Sequence, residues 1–319
     1  PDDPRLVNDL LVAGRAARVR RKLREARFGL VPSRNDEMQC TFVDEFRLMA
    51  EIGPVVKYIS VGDFHRMVDG VADDELAGYL ARLERHYPSQ GITKDMLREA
   101  ARAALGLARL AEENELDVLG LNESSPELQR LFHMRPAVFP TLLETNGALF
   151  QSEGDLGAAT ASLILHMLTG SPTMLFEIWF WDEAKNQVIG GHNGLQNPEM
   201  AQPGEVSLSL DGYWGRSPDD KGVQFHFIAR PGRATLFQLR SPPKGWQAIA
   251  ASGICLESLP WVNSCPYAVL RLDAHIDQFL KRVAGVGATQ HWILAYGSVL
   301  PEIEAYCQMT GIPLELLAY

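Results

Sequence analysis

Hydrophobic positions along the chain change their period near its middle. Up to Glu153, short apolar runs alternate with segments in which apolar residues recur every three or four positions. "ARFGLV" (Ala26 to Val31), "VVKYISV" (Val55 to Val61), "LDVLGLN" (Leu116 to Asn122) and "GALFQSE" (ending at Glu153) predict short strands. "DDELAGYLARLERHY" and "TKDMLREAARAALGLARLAEEN" predict amphipathic helices, with Asp73 and Thr93 as their N-caps. This alternation predicts a Rossmann-like α/β layer, a parallel sheet whose ligands sit beyond the carboxyl ends of the strands.

After Gly170 the period shortens. "PTMLFEIWFWDEAKNQVIGGHNG" reads as two strands around a polar "DEAKNQ" turn, a hairpin signature. "GEVSLSL", "VQFHFIA", "ATLFQLR" and "WQAIAASGICLE" follow as short strands between Pro, Gly and Asp turns, which predicts an antiparallel, barrel-like sheet. The chain returns to α/β character with a helix from Asp273 to about Val283, the strand "HWILAYG", the helix "LPEIEAYCQMTG" and the strand "PLELLA". The expected organisation is an α/β domain over residues 1–170 and a β-rich C-terminal domain over residues 171–319, with no internal repeat.

Composition and charge exclude several functions. The 319 residues, 46% of them hydrophobic, suffice for two real cores. A formal net charge of −10 argues against a nucleic-acid partner, because phosphate-backbone binders gather Lys and Arg on one face. The one basic run, "RAARVRRKLREAR" from Arg15 to Arg27, follows a helical period and is expected on a solvated or inter-subunit face. Cys40, Cys255, Cys265 and Cys307 show no paired spacing, as expected of reduced thiols in a cytoplasmic protein. No apolar run approaches the roughly 18–20 residues of a membrane span, so no membrane partner is expected. The chain opens on Pro1 rather than Met, which leads to the expectation of a preceding segment.

Carboxylates inside apolar runs carry the candidate chemistry. Glu153 ends a β-like run and is followed at once by Gly154, Asp155 and a long apolar helix. Burying such a group costs several kcal/mol unless it is paired, protonated or bound to a cation. Glu177 repeats the oddity within "LFEIWFWD", where strict alternation would set it on one face with Trp179 and Trp181, opposite Phe176, Ile178 and Phe180. His192 lies on the glycine-flanked bend "GGHNG", and His291 starts a strand just after glycines. Two glutamates and two histidines at strand ends form an oxygen and nitrogen donor set suited to a divalent Mn, Fe, Co or Zn ion. Asp155 reads as the N-cap of the following helix rather than a ligand, and His166 as structural. His65, His86, His133, His226 and His275 have equal or weaker claims than His291, whose spacing alone fits a hydrogen-bonded core residue. No HExxH or phosphate-loop glycine pattern is present: neither "GVG" nor "GGHNG" has the required spacing.

Over nearly its whole length, and in order, the chain resembles the L-arabinose isomerase and L-fucose isomerase superfamily of metal-dependent aldose–ketose isomerases. The resemblance is carried by "ARFGL" with Asn35, "VGDFHRMVDGVADDEL", "LREAARAALGLARLAEENELDVLGLN", "SEGDLGAA", "FEIWFWD", "GGHNG" and "GATQHWILAYGSVLPEIEAYCQMTGIPLELL". It implies that Glu153 and Glu177 bind the metal and serve as acid and base, and that His192 and His291 complete the ligand set. It also implies Mn2+, with Co2+, Fe2+ or Zn2+ as alternatives, a small-molecule sugar as substrate, and a homo-oligomer, trimer or hexamer. His192 resembles the arabinose side of the superfamily and "GDLGAA" the fucose side. The resemblance begins at the second of three family domains, so the family's N-terminal domain would precede Pro1. The implied reaction moves a proton between C1 and C2 of an aldose through a cis-enediol. A sugar or sugar-acid epimerase on the same site, and a non-catalytic sugar-binding relative, stand as alternatives.

Overall fold

The computed structural model describes residues 3–202, 204–211, 222–262 and 265–317. In the first half, α1 (Pro4–Glu25) leads into β1 (Arg27–Val31), and α2 (Glu45–Arg47) precedes β2 (Val55–Tyr58). Then come α3 (Val61–Asp69), α4 (Asp73–His86), β3 (Ser89–Gln90), α5 (Lys94–Glu113), β4 (Val118–Leu121), α6 (Pro126–Phe132), β5 (Pro136–Ala137), β6 (Leu149–Ser152) and α7 (Leu156–Thr169). β2, β1, β4 and β6 form a parallel sheet in that order. β4 is buried at every position, as a parallel strand covered on both faces requires. Its carboxyl end delivers Asn122 and Glu123, and that of β6 delivers Glu153.

The second half holds β7 (Thr173–Asp182), β8 (Gln187–Gly191), β9 (Ser207–Leu210), β10 (Val223–His226), β11 (Gly232–Arg240) and β12 (Gln247–Cys255). It continues with β13 (Tyr267–Leu272), α8 (Ile276–Val286), β14 (Trp292–Tyr296), α9 (Leu300–Thr310) and β15 (Leu314–Leu317). Strands β11, β14, β7, β8, β13 and β12 form a closed antiparallel barrel, because β12 pairs back onto β11. Closure leaves these six strands without an open edge between them. β15 adds to β12 in parallel, and β3 and β5 pair with β9 and β10 in a small separate sheet.

α7 lies between the two sheets. Eleven of its residues, from Leu156 to Leu168, are buried, the pattern of a helix surrounded by protein. It packs on β4 and β6 on one side and on β11, β14 and β7 on the other. The approach is close: a Cβ on Gly157 would come within 2.5 Å of the Leu239 carbonyl oxygen. Both large hydrophobic clusters draw residues from either side of Gly170. Three cations of the basic run hold α1 to this body, Arg15 on buried Glu302, Arg18 on the Met167 carbonyl oxygen and Lys22 on Asp117.

The elements depart from sequence expectation in several places. "GEVSLSL" and "VQFHFIA", expected in the barrel, form β9 and β10 of the small separate sheet, while "HWILAYG", expected among the closing α/β elements, is the barrel strand β14. β13 is a sixth barrel strand that the pattern does not announce. Its apolar run is short and nearly continuous, so it has no period that separates strand from helix. Thr93 does cap α5, accepting from Met96 N–H at 3.2 Å, whereas Asp73 is the first residue of α4 and Ala72 holds the cap position. The helix expected from Asp273 begins at Ile276, whose N–H donates to Asn186 Oδ1. Alternation in β7 fails beyond Ile178, where the register against β8 slips: Ile178 lies opposite Gly190 and Phe180 opposite Ile189. The extra residue brings Trp179 and Phe180 together onto one cavity wall and leaves Phe180 and Trp181 about half exposed.

Glycine is required opposite this slip, since a Cβ on Gly190 would lie 2.0 Å from the Glu177 carbonyl oxygen. Gly190→Ala is therefore expected to cost about 1–3 kcal/mol in denaturant unfolding. Unchanged stability would show that β7 and β8 separate easily at this point.

Candidate metal centre

A tight turn between β6 and α7 fixes Glu153. Its φ is +66° and that of Gly154 is +62°, and a non-glycine residue there carries roughly 1–3 kcal/mol of strain. Four contacts hold it. Glu153 N–H donates to Glu123 Oε2 at 2.7 Å, its carbonyl accepts from Asn35 N–H, and Gly154 N–H donates to the Leu121 carbonyl. Asp155 then caps α7, its Oδ1 accepting from Ala158 N–H at 2.9 Å.

The barrel supplies the facing side chains. Glu177 projects from β7, His192 follows β8, and His291 immediately precedes β14. The bend after His192 is pinned from behind: Gly194 N–H donates to Gln224 Oε1, and Leu195 N–H to Ser152 Oγ. The backbone at Gly194, with φ +91°, favours glycine, and a Cβ there would lie 2.2 Å from Glu123 Oε1 and force that carboxylate to move.

These groups converge. His192 Nε2 lies 3.5 Å from Glu153 Oε1, and His291 Nε2 lies 3.4 Å from Glu153 Oε2 and 3.5 Å from Glu177 Oε1. The imidazole planes stand at 87° to one another. Of the eight histidines these two meet, while His65, His86, His166 and His226 have partners elsewhere; His166, for example, contacts the Ser171 carbonyl through Nδ1.

Tautomers explain why the convergence matters. His192 Nδ1 faces the Asn193 carbonyl and His291 Nδ1 faces Asp155 Oδ2 at 2.8 Å, and both acceptors require a proton on Nδ1. A neutral ring then turns the lone pair of Nε2 toward a carboxylate. Among the described residues, Glu153 Oε2 and His291 Nε2 have no hydrogen-bond partner. Buried acceptors facing acceptors call for a cation between them, either a proton or a metal ion. Donors around an ion with bonds near 2.1 Å sit roughly 3.0 Å apart in an octahedron and 3.4 Å apart in a tetrahedron. The His192–Glu153 and His291–Glu153 separations fit this spacing, whereas Glu177 approaches His291 at 3.5 Å but does not belong to the group of ligand atoms within 4.8 Å of one another. Glu153, His192 and His291 could hold a metal ion, as could Cys40, Asp155 and His291, and the two groups share one imidazole.

Electrostatics reflect the same competition. Burial alone would raise the Glu153 carboxyl, but the imidazoles of His192 and His291 outweigh it and hold the group far below the usual carboxylate range. Burial would lower His192 and His291, yet Glu153 raises the first, and Asp155, Cys40 and Glu153 raise the second well above its ordinary value. Glu123 is different: burial pushes it up, Arg135 opposing and Glu153 adding to the rise.

Glu153, Glu177 and His192 line a cavity of about 480 Å³, within the range of small-molecule sites. Asn35, Glu37, Gln129, Arg135, Trp179 and Asn193 also line it. All four residues expected from sequence thus come together. Sequence reasoning missed Asp155 as the orienting partner of His291, Cys40 beside it, and Glu123 behind Glu153. No family profile and no curated protein matches the chain.

Asp155→Ser separates the two duties of Asp155, since serine caps a helix but is too short to reach His291. Stability should stay within about 1 kcal/mol, while divalent-metal affinity by calorimetry should fall about 10–100-fold. Equal affinity would mean that His291 needs no orienting partner.

The raised histidines set a second expectation. In metal-free protein their contribution to stability is complete below the ordinary histidine pKa and is lost as pH rises through the raised values. Metal binding runs the opposite way, because an ion must displace those protons. Affinity should therefore increase with pH through and above the ordinary histidine range, with proton release visible as a buffer-dependent heat. A pH-independent affinity with no proton release would contradict it.

Proposed function

We propose that the protein is a metal-dependent aldose–ketose isomerase acting on a small sugar of the L-arabinose or L-fucose type. The observation that carries this reading is the approach of His192 Nε2 to Glu153 and of His291 Nε2 to Glu153 and Glu177 at 3.4–3.5 Å, with unpartnered acceptors at Glu153 Oε2 and His291 Nε2, where Glu153, Glu177 and His192 line a sugar-sized cavity. The motif resemblance set out from the sequence supports it.

Glu153, Glu177, His192 and His291 would hold the ion, and two oxygen plus two nitrogen donors without thiolate suit Mn2+, Co2+, Fe2+ or Zn2+. Mn2+ is placed first by the resemblance. When bound, the divalent ion would act as a Lewis acid for the sugar's adjacent O1 and O2. The protein's own part is proton transfer. Glu153 and Glu177 would flank the reacting carbons; one takes the proton from C2 while O1 gains a proton, giving the enediol, and a proton is then returned to C1 while the O2 hydroxyl gives up its own, giving the ketose. Glu177 is the better placed to exchange protons, because its side chain is 25% exposed and faces the cavity whereas Glu153 is nearly enclosed. Trp179 offers a flat wall for the sugar's C–H face, and Asn35, Gln129 and Asn193 offer groups to its hydroxyls.

The remaining parts of the proposal follow the resemblance. We place the protein in the cytoplasm as a homo-oligomer, trimer or hexamer. Leu6, Val7, Leu10 and Leu11, exposed together on α1, are compatible with a partner surface. No helix among the described residues is long and apolar enough to cross a membrane.

The test is an aldose panel with Mn2+ in deuterated water, scored for ketose and for deuterium entering the product. Glu177→Gln should lower kcat by about 10²–10⁴-fold with the fold intact. Substantial activity in that variant would rule out the acid/base role, and an inverted aldose in place of a ketose would make the protein an epimerase.

A further inference from the structure

Ligand atoms also line the side of His291 that faces away from Glu153 and Glu177. Nδ1 lies 2.8 Å from Asp155 Oδ2 and 3.6 Å from Cys40 Sγ. One atom from each residue falls within 4.8 Å of the others. Asp155 and His291 are buried, whereas Cys40, on the short helical turn Gln39–Thr41, is the half-buried member of the trio. The two faces of the imidazole differ in chemistry. On the Nε2 side the other donors are carboxylates and a second imidazole, and on the Nδ1 side a thiol takes part. Thiolate selects softer ions such as Zn2+ and Cd2+ over Mn2+.

We propose that Cys40, Asp155 and His291 Nδ1 form a second metal site for soft divalent ions, and that its occupation excludes an ion from the Glu153–His192–His291 site. The exclusion follows from where the protons go. On binding, the Cys40 S–H bond breaks, a metal–sulfur bond forms, and the proton leaves to solvent. Nδ1 gives its proton to solvent in exchange for the metal. Nε2 either keeps its proton, where the ring starts doubly protonated, or takes one up from solvent, where it starts neutral, so the metal-bound ring carries its one proton on Nε2. That atom then donates toward Glu153 and Glu177 and has no lone pair for a second ion. Asp155 Oδ2 exchanges a hydrogen bond for a metal bond, while Oδ1 keeps its cap on Ala158 N–H and α7 stays in place. A thiophilic ion would thus switch off the neighbouring site by reversing the tautomer of one shared histidine. The exclusion rests on the reading of His291 Nε2 as a ligand, and the binding of the soft ion does not.

The experiment titrates the full chain and Cys40→Ser with Cd2+, following thiolate–cadmium charge-transfer absorption, and then with Mn2+ by electron paramagnetic resonance in the presence and absence of Cd2+. The wild type should show the absorption and lose Mn2+ binding once Cd2+ is bound. Cys40→Ser should show no such absorption, should still bind Mn2+, and should need far more Cd2+ to lose it. Equal absorption in both proteins would overturn the site, because another cysteine would be the ligand. Cd2+ bound through Cys40 with Mn2+ affinity unchanged would overturn the exclusion. If Mn2+ fails to bind even the Cd2+-free wild type, the isomerase site is refuted, and the Cd2+ titration still decides the second site by itself.

Discussion

A buried carboxylate with nowhere to place its charge is the constraint on which the rest of this structure depends. Glu153 sits at the end of β6 on a left-handed backbone, nearly sealed from water, with two imidazole nitrogens within 3.5 Å of its carboxylate. An unpaired carboxylate there would cost several kcal/mol, and the strained turn adds to it. The cost is offset only if a cation shares the space. The surrounding fold is arranged to make that cation's position specific.

That arrangement explains why a parallel sheet and a barrel are held so closely against one helix. The α/β layer contributes Glu153 through the turn before α7, and the barrel contributes Glu177, His192 and His291 from three different strands. α7 fills the space between the layers, and its first turn is tied to both, to β4 through Gly154 and to the start of β14 through Asp155 and His291. Asp155 thereby couples helix capping to the tautomer of a candidate ligand. Behind the first ring of donors, Glu123, Ser152 and Gln224 fix the backbone at Glu153 and after His192. Such outer contacts are what hold a site to the fractions of an ångström that chemistry needs.

Much of this was legible in the sequence, for physical reasons that can be traced. Alternating apolar runs gave the parallel layer, and the change of period marked β7, β8, β11 and β12 of the barrel while also setting β9 and β10 there, which pair in a sheet of their own. A carboxylate within an apolar strand is costly, so Glu153 and Glu177 stood out, and glycine-flanked histidines drew attention to His192 and His291. Other features were hidden. The Asp155 and Cys40 contacts to His291 join residues 136 and 251 positions apart, and no local pattern encodes them. The left-handed backbone of Glu153 reflects tertiary contacts that override local preference, and the slip in β7 defeated strict alternation. β13 lacked any period at all. What the sequence could not show was mostly the second layer of contacts, which exists only once distant strands are paired.

The most direct measurement is a crystal of the protein soaked in Mn2+, with anomalous difference density collected at a wavelength where manganese scatters. The account predicts one strong peak between Glu153, Glu177 and the Nε2 atoms of His192 and His291, at ordinary metal–ligand distances of about 2.0–2.3 Å. A peak elsewhere, or none at this position in a crystal whose four side chains are ordered, would mean that protons alone balance the charge of Glu153, and the metal-dependent reading would fall.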